Sequence, residues 1–193
     1  VPAKTLQELV ALIKTSPGKF SYGSAGSGTL VHLAGELFRM QAGNLDLQHV
    51  PYKGNGPAIQ DLIAGHIPIA VVLPNSSVLA HHRAGRLRII AVMQDNRPKI
   101  APDIPTAVES GMGDLRAQIF NGIFVPAFTP QPVIDALHRA TAKAMGEGGL
   151  RADLEAAGAE PALDSTPEKT ARFVRDETAK WAPIIRASGF RLD

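Results

Sequence analysis

Between Lys19 and Met93 short apolar segments alternate with amphipathic ones, an order that restricts this part of the chain to a largely parallel α/β sheet. The spacing predicts strands over 19–22, 46–50, 67–73 and 87–93, with helices over 29–41, 57–64 and 76–84 between them. A first helix precedes them. Thr5-Leu6-Gln7-Glu8 is a capping box, Leu6, Leu9, Val10, Leu12 and Ile13 recur at helical spacing, and Pro17-Gly18 closes the element. Segment 95–105, with three prolines, is a loop, and 106–110 a short capped helix. After Gly111 the character changes: 116–125 reads as one long apolar strand, and 126–132 turns into a helix running to about Met145. A boundary is expected within 113–122, dividing 1–115 from 116–193. Helices over 150–157 and 167–185, with a short strand at 160–163, complete a tail that has too few strands for a sheet of its own.

The run Tyr22-Gly23-Ser24-Ala25-Gly26-Ser27-Gly28-Thr29 joins the first strand to the amphipathic pattern Leu30, Val31, Leu33, Ala34, Leu37, Phe38. It reads as an anion-binding turn at a helix N-terminus: glycines admit a ligand to the backbone, first-turn N–H groups point outward, and Ser24, Ser27 and Thr29 add hydroxyls. Carboxylate and phosphate both fit, and a plain N-cap turn without ligand is the bland alternative. A nucleotide P-loop is disfavoured because Thr29 stands where its lysine belongs, and a dinucleotide fingerprint because Val31 replaces its third glycine. No Gly-x-Ser-x-Gly elbow is present, so a hydrolase nucleophile is unsupported.

Net charge of +2, from 20 basic and 18 acidic residues with no polybasic tract, together with 5% aromatic content, argues against nucleic acid as a partner. The absence of cysteine excludes disulfides and thiolate metal sites and leaves the redox compartment open. The six histidines show neither His-Glu-x-x-His nor another zinc spacing, so no metal site is expected. His32 can reach the cleft from the helix after the glycine loop, although a helix-surface histidine in an i,i+4 contact with Glu36 is the plainer account.

Val50-Pro51-Tyr52-Lys53-Gly54-Asn55-Gly56 ends the second strand on the same carboxyl-end rim as the glycine loop, and two such loops side by side make a cleft. Lys53 can attract an anion there and Tyr52 can wall it; the filler reading is a routine surface turn. Asn75, after the third strand, supplies polar contacts or merely caps the next helix.

Four segments carry a resemblance. They are 22–29 with His32-Leu33-Ala34-Gly35-Glu36-Leu37-Phe38, His49-Val50-Pro51-Tyr52-Lys53-Gly54, Pro102-Asp103-Ile104-Pro105-Thr106, and Lys180-Trp181-Ala182-Pro183. In these, in the same order and over essentially all of its length, the chain resembles the extracytoplasmic solute receptors of tripartite tricarboxylate transporters, the Bug receptors. The resemblance implies an α/β, periplasmic-binding-protein-like (type II) Venus-flytrap fold, with 1–115 as a complete second lobe and 116–193 as the C-terminal part of the first. It implies roughly a hundred further residues before Val1, consistent with a normal two-lobe size, and a signal peptide upstream. It also implies a periplasmic protein without catalytic turnover or cofactor, which binds a small organic carboxylate and passes it to membrane permease subunits.

Residues expected at the ligand on this basis are Ser24, Ala25, Gly26, Ser27, Gly28, Thr29, His32, Tyr52, Lys53, Gly54, Asn75 and Asn121. The rivals are an enzyme lobe holding a phosphate or acyl anion on the same loop, and a sensory or interaction module. The tail's Phe120, Ile123, Phe124, Val125, Leu137, Leu154, Phe173, Val174, Trp181, Ile184 and Ile185 lack enough strands to cover them, so this chain is expected to self-associate as a two-fold dimer.

Overall fold

Tyr22, Gly23 and Ser24, all buried, set β1 (Phe20–Ser24) at the centre of a three-stranded parallel sheet of order β2-β1-β3. In this computed structural model, which describes residues 1–156, 159 and 161–189, β2 (Leu47–Pro51) pairs with β1 from Phe20 opposite Leu47 to Ser24 opposite Pro51. β3 (Ile69–Ala70) is shorter than the expected 67–73, pairing Tyr22 with Ile69 and Gly23 with Ala70, and Val71 adds an N–H bond to the Gly23 carbonyl at 2.9 Å.

Helices form the crossovers. α1 (Leu6–Lys14) is capped by Thr5, whose Oγ1 accepts the Glu8 N–H, and buries Leu6, Leu9 and Ile13 on one stripe. Burial of a side chain of that size contributes about 1.5–3 kcal/mol. α2 (Leu30–Gln41) packs against β1 and β2, α3 (Asn55–Ala64) against β1 and β3. Gly35 is what lets α2 come so near: a Cβ there would lie inside the van der Waals envelope of the Tyr22 ring. α4 (Ser76–Arg83), capped by Asn75, buries Leu79 in a cluster with Val92, Ala101 and Ile104.

The strand expected over 87–93 does not form. Only Val92 bridges, to Thr106, with Val92 N–H on the Pro105 carbonyl and Ala107 N–H on the Val92 carbonyl. The apolar run is used instead to pack Ile89 and Val92 on the α4 cluster. The short helix expected at 106–110 is a turn, although its capping box is complete: Thr106 N–H reaches Glu109 Oε2 at 2.8 Å and Glu109 N–H returns to Thr106 Oγ1 at 3.0 Å.

Among the described residues the first unit comprises Val1–Ile119 together with 183–189, and Phe120–Ala182 form a second. The second contains α5 (Gln131–Gly146), α6 (Gly148–Ala156) and most of α7 (Pro167–Ser188). The strand expected over 116–125 does not form: Ala117 N–H bonds the Met93 carbonyl at 2.7 Å, but the segment makes no ladder among the described residues. Of the expected strand 160–163, Glu160 lies outside the described residues and 161–163 form no strand; Ala157, the expected end of a helix, lies outside them as well. No described residue between Phe120 and Ala182 is buried, and Phe128 is 99% exposed.

Candidate functional site

Parallel pairing brings the ends of β1 and β2 to one edge, and the loops that leave them are stitched together there. Tyr52 N–H bonds the Ser24 carbonyl and Gly54 N–H the Ala25 carbonyl, both at 3.0 Å. The glycine loop then turns into α2 through Gly26 at φ +137°, a conformation L side chains rarely adopt, and a Cβ at this position would also lie 3.2 Å from the Tyr52 carbonyl oxygen. Thr29 is the N-cap: its Oγ1 accepts the His32 N–H and donates to the Gly26 carbonyl at 2.7 Å.

The donors divide into two sets. Gly26 N–H is held by Ser24 Oγ at 3.2 Å and Gly28 N–H by His32 Nδ1 at 3.0 Å, so both are committed within the protein. The N–H groups of Ser27, Leu30 and Val31 have no acceptor among the described residues. Of the three hydroxyls, Ser24 is fully buried beneath the loop, Thr29 is spent on the cap, and Ser27 is exposed.

Beneath the loop lies a buried polar network. Tyr22 donates its hydroxyl to Glu36 Oε1 at 2.8 Å and stands 3.2 Å from the His32 carbonyl; Arg39 Nε pairs with Glu36 Oε2 at 3.0 Å. The His32 and His49 rings stack with centroids 4.0 Å apart, and His49 Nε2 lies 2.7 Å from Ser24 Oγ. Burial lowers the His32 pKa, against the opposing pull of Glu36. Burial, then the neighbouring His32, lowers that of His49 to about 4. Tyr22 is pushed well above the ordinary phenol value by burial and by its bond to Glu36.

His32 and Glu36 are therefore not the surface pair expected from their spacing, being only 6% and 7% exposed. Periodicity marks both on one helix face but does not reveal that the Tyr22 hydroxyl and the loop amides meet them from the sheet side.

In the second loop, Tyr52 is half-buried with its hydroxyl on Asp61 Oδ2 at 2.7 Å, Lys53 is exposed, and Gly54 adopts φ +112°. The bond to Tyr52 holds the Asp61 carboxyl below its usual range and raises the Tyr52 phenol. Asn55, which opens α3 and is not among the residues expected at the ligand, carries a buried Oδ1 with no hydrogen-bond partner. Asn75 Oδ1 is occupied by the Val78 N–H at 3.0 Å, and Asn121 belongs to the second unit. No group of three metal-binding side chains occurs among the described residues. What the loop edge presents is a set of N–H donors without acceptors among the described residues, the exposed hydroxyl of Ser27 and, on the adjoining loop, the exposed Lys53, an arrangement suited to holding a small anion without covalent chemistry.

Residues 1–190 match the sequence pattern of the tripartite tricarboxylate transporter family receptors. The chain is 32% identical over 188 residues to protein BugT of Bordetella pertussis, covering 97% of this chain and 57% of BugT. It superimposes with a TM-score of 0.83 on a TctC solute binding protein from Polaromonas solved without ligand, at 28% identity, covering 97% of this chain and 63% of that one. An R. palustris protein solved with adipate gives 0.76 at 26% identity, with coverages of 98% and 62%. The chain thus spans about three fifths of the length of the proteins it matches.

Proposed function

This chain belongs to the tripartite tricarboxylate transporter receptor family, and we propose that it forms one anion-holding lobe of a periplasmic receptor, which binds a small organic carboxylate and delivers it to membrane permease subunits. The observation that carries the reading is the division of the loop's donors: Gly26 and Gly28 fix its shape from inside, while the N–H groups of Ser27, Leu30 and Val31 have no acceptor among the described residues at the start of α2.

In this reading Ser27 supplies the direct side-chain contact, with Ala25, Gly26, Gly28 and Gly54 giving close backbone approach. Ser24, Thr29 and His32 hold the loop in form, Tyr52 walls the site, and Lys53 draws the anion in. Asn75 stands as an outer polar contact through its side-chain N–H groups, its Oδ1 being committed to the α4 cap. The buried Oδ1 of Asn55 calls for a donor, which a water carried in with the carboxylate provides. Among the described residues no helix is long and apolar enough to cross a membrane.

A thermal-shift screen of the full-length protein against organic acids tests this, with adipate as first probe because a relative was solved with it. Stabilisation by one or more organic acids without their conversion supports the receptor. Stabilisation by nucleotides alone, or by none of the acids, refutes it.

The second unit also bears on how the chain behaves in solution. Its exposed Ile123, Phe124, Phe128 and Leu137 constitute more apolar surface than a small soluble unit ordinarily leaves uncovered, and we propose that this chain, on its own, associates with a second copy through that surface.

A further inference from the structure

We propose that His32 is a positioning residue of the glycine loop and works only as a neutral imidazole: its Nδ1 accepts the Gly28 N–H at 3.0 Å, and a proton there puts donor against donor and releases the loop. The proposal rests on the glycine loop as the carboxylate site and names the regulation of that site by acid.

The ring has little freedom to avoid this conflict. Its own N–H is held by the Thr29 cap, its carbonyl faces the Tyr22 hydroxyl at 3.2 Å, and one ring face is stacked on His49 at 4.0 Å with planes 19° apart. His49 in turn reaches Ser24 Oγ, the acceptor of the Gly26 N–H. Both committed amides of the loop therefore depend on this one stacked pair.

The two histidines differ in what they tolerate. Ser24 can donate its hydroxyl to His49 Nε2 or to the Gly26 carbonyl at 3.3 Å, so it adapts to either protonation state of that nitrogen. Gly28 N–H can only donate. This fixes the proton of neutral His32 on Nε2 and leaves a cationic His32 without a way to keep the bond.

The surroundings also oppose the cation. Facing the ring are Tyr22 from β1, His49 from β2, and Glu36 from its own helix, whose carboxylate is shared between the Tyr22 hydroxyl and Arg39. Glu36 favours charge on His32; burial outweighs it, and the first turn of α2 disfavours a positive group. Within the normal neutral range the loop is therefore held, and acidification is what unlocks it.

The test is a titration of the full-length protein from pH 7.5 to 4 by NMR, reading the tautomer and charge of His32 together with the Gly26 and Gly28 amides. Expected are an Nε2-protonated His32 at neutral pH and a Gly28 amide that shifts with the His32 midpoint. His32→Asn, which keeps an acceptor near the position of Nδ1 but takes up no proton, should hold the Gly28 amide at its neutral-pH position throughout. Adipate binding, corrected for adipate's own titration, should fall more steeply with acid in the wild type than in His32→Asn. A Gly28 amide that stays flat while His32 charges, or an Nδ1-protonated His32 at pH 7, overturns the proposal. If the amides track His32 but adipate and the other organic acids bind at no pH, the positioning role stands and the carboxylate reading fails.

Discussion

Tyr22 and Glu36, one at the centre of the sheet and the other on the inner face of α2, share a 2.8 Å hydrogen bond between groups that are almost wholly withdrawn from solvent. The bond ties helix to strand just below the glycine loop, and Arg39 supplies the countercharge from one turn further along the helix. Tyr22→Phe keeps the ring and its packing but strands part of a buried carboxylate. It should cost about 1–3 kcal/mol in urea unfolding. A loss under about 0.5 kcal/mol would mean that water or Arg39 alone satisfies Glu36.

Stability should also depend on pH through His49. Its folded value of about 4 lies below the ordinary 6.5, so between these the unfolded chain binds more protons than the folded one. The stabilisation is complete above pH 6.5, declines as pH falls, and is exhausted below about 4; His32, lowered in the same direction, adds to it. Asp61 and Glu109, both lowered, act in a separate and more acidic window. Thermal midpoints measured every half unit should be level above 6.5 and fall below it, and His49→Gln should flatten the decline.

Gly26→Val should remove carboxylate binding from the full-length protein while leaving the fold in place. The substitution demands a positive φ that a branched residue resists and sets a side chain against the Tyr52 carbonyl. We expect calorimetric affinity to drop by at least about tenfold, or 1.4 kcal/mol. Near-normal affinity would take this loop out of the site.

The 193-residue chain should sediment as more than a monomer at micromolar concentration, and Phe124→Ser with Phe128→Ser should shift it toward monomer, since these side chains are 66% and 99% exposed. A well-folded monomer at every concentration would exclude association through this surface.

Local chemistry was the legible part of the sequence. Thr5 and Thr29 cap the helices their positions announced, and strand–helix alternation placed β1, β2 and the two rim loops on the sheet. What could not be read was partnership. Segments 87–93 and 116–125 have the composition of strands, yet only Val92 finds a bridge, because an apolar run encodes a tendency and the neighbour decides the ladder. The hydroxyls tell the same story. Ser24, Ser27 and Thr29 look alike as donors in a glycine-rich run, and only the folded chain separates the one facing solvent from the two that hold the loop. Asn55 gave no signal beyond its place after Gly54.

The contact of Gly35 with Tyr22 sets the tolerance to which the anion loop is built. Because no side-chain atom stands between helix and ring, their separation is fixed by two hard surfaces, with no rotamer to absorb error. Any methyl group added at this spacer must push α2 outward and re-aim the uncommitted amides of Leu30 and Val31, more than one helical turn away. Affinity in such a receptor can therefore be tuned from a residue that never meets the ligand, and variation at position 35 should be read as variation in focus.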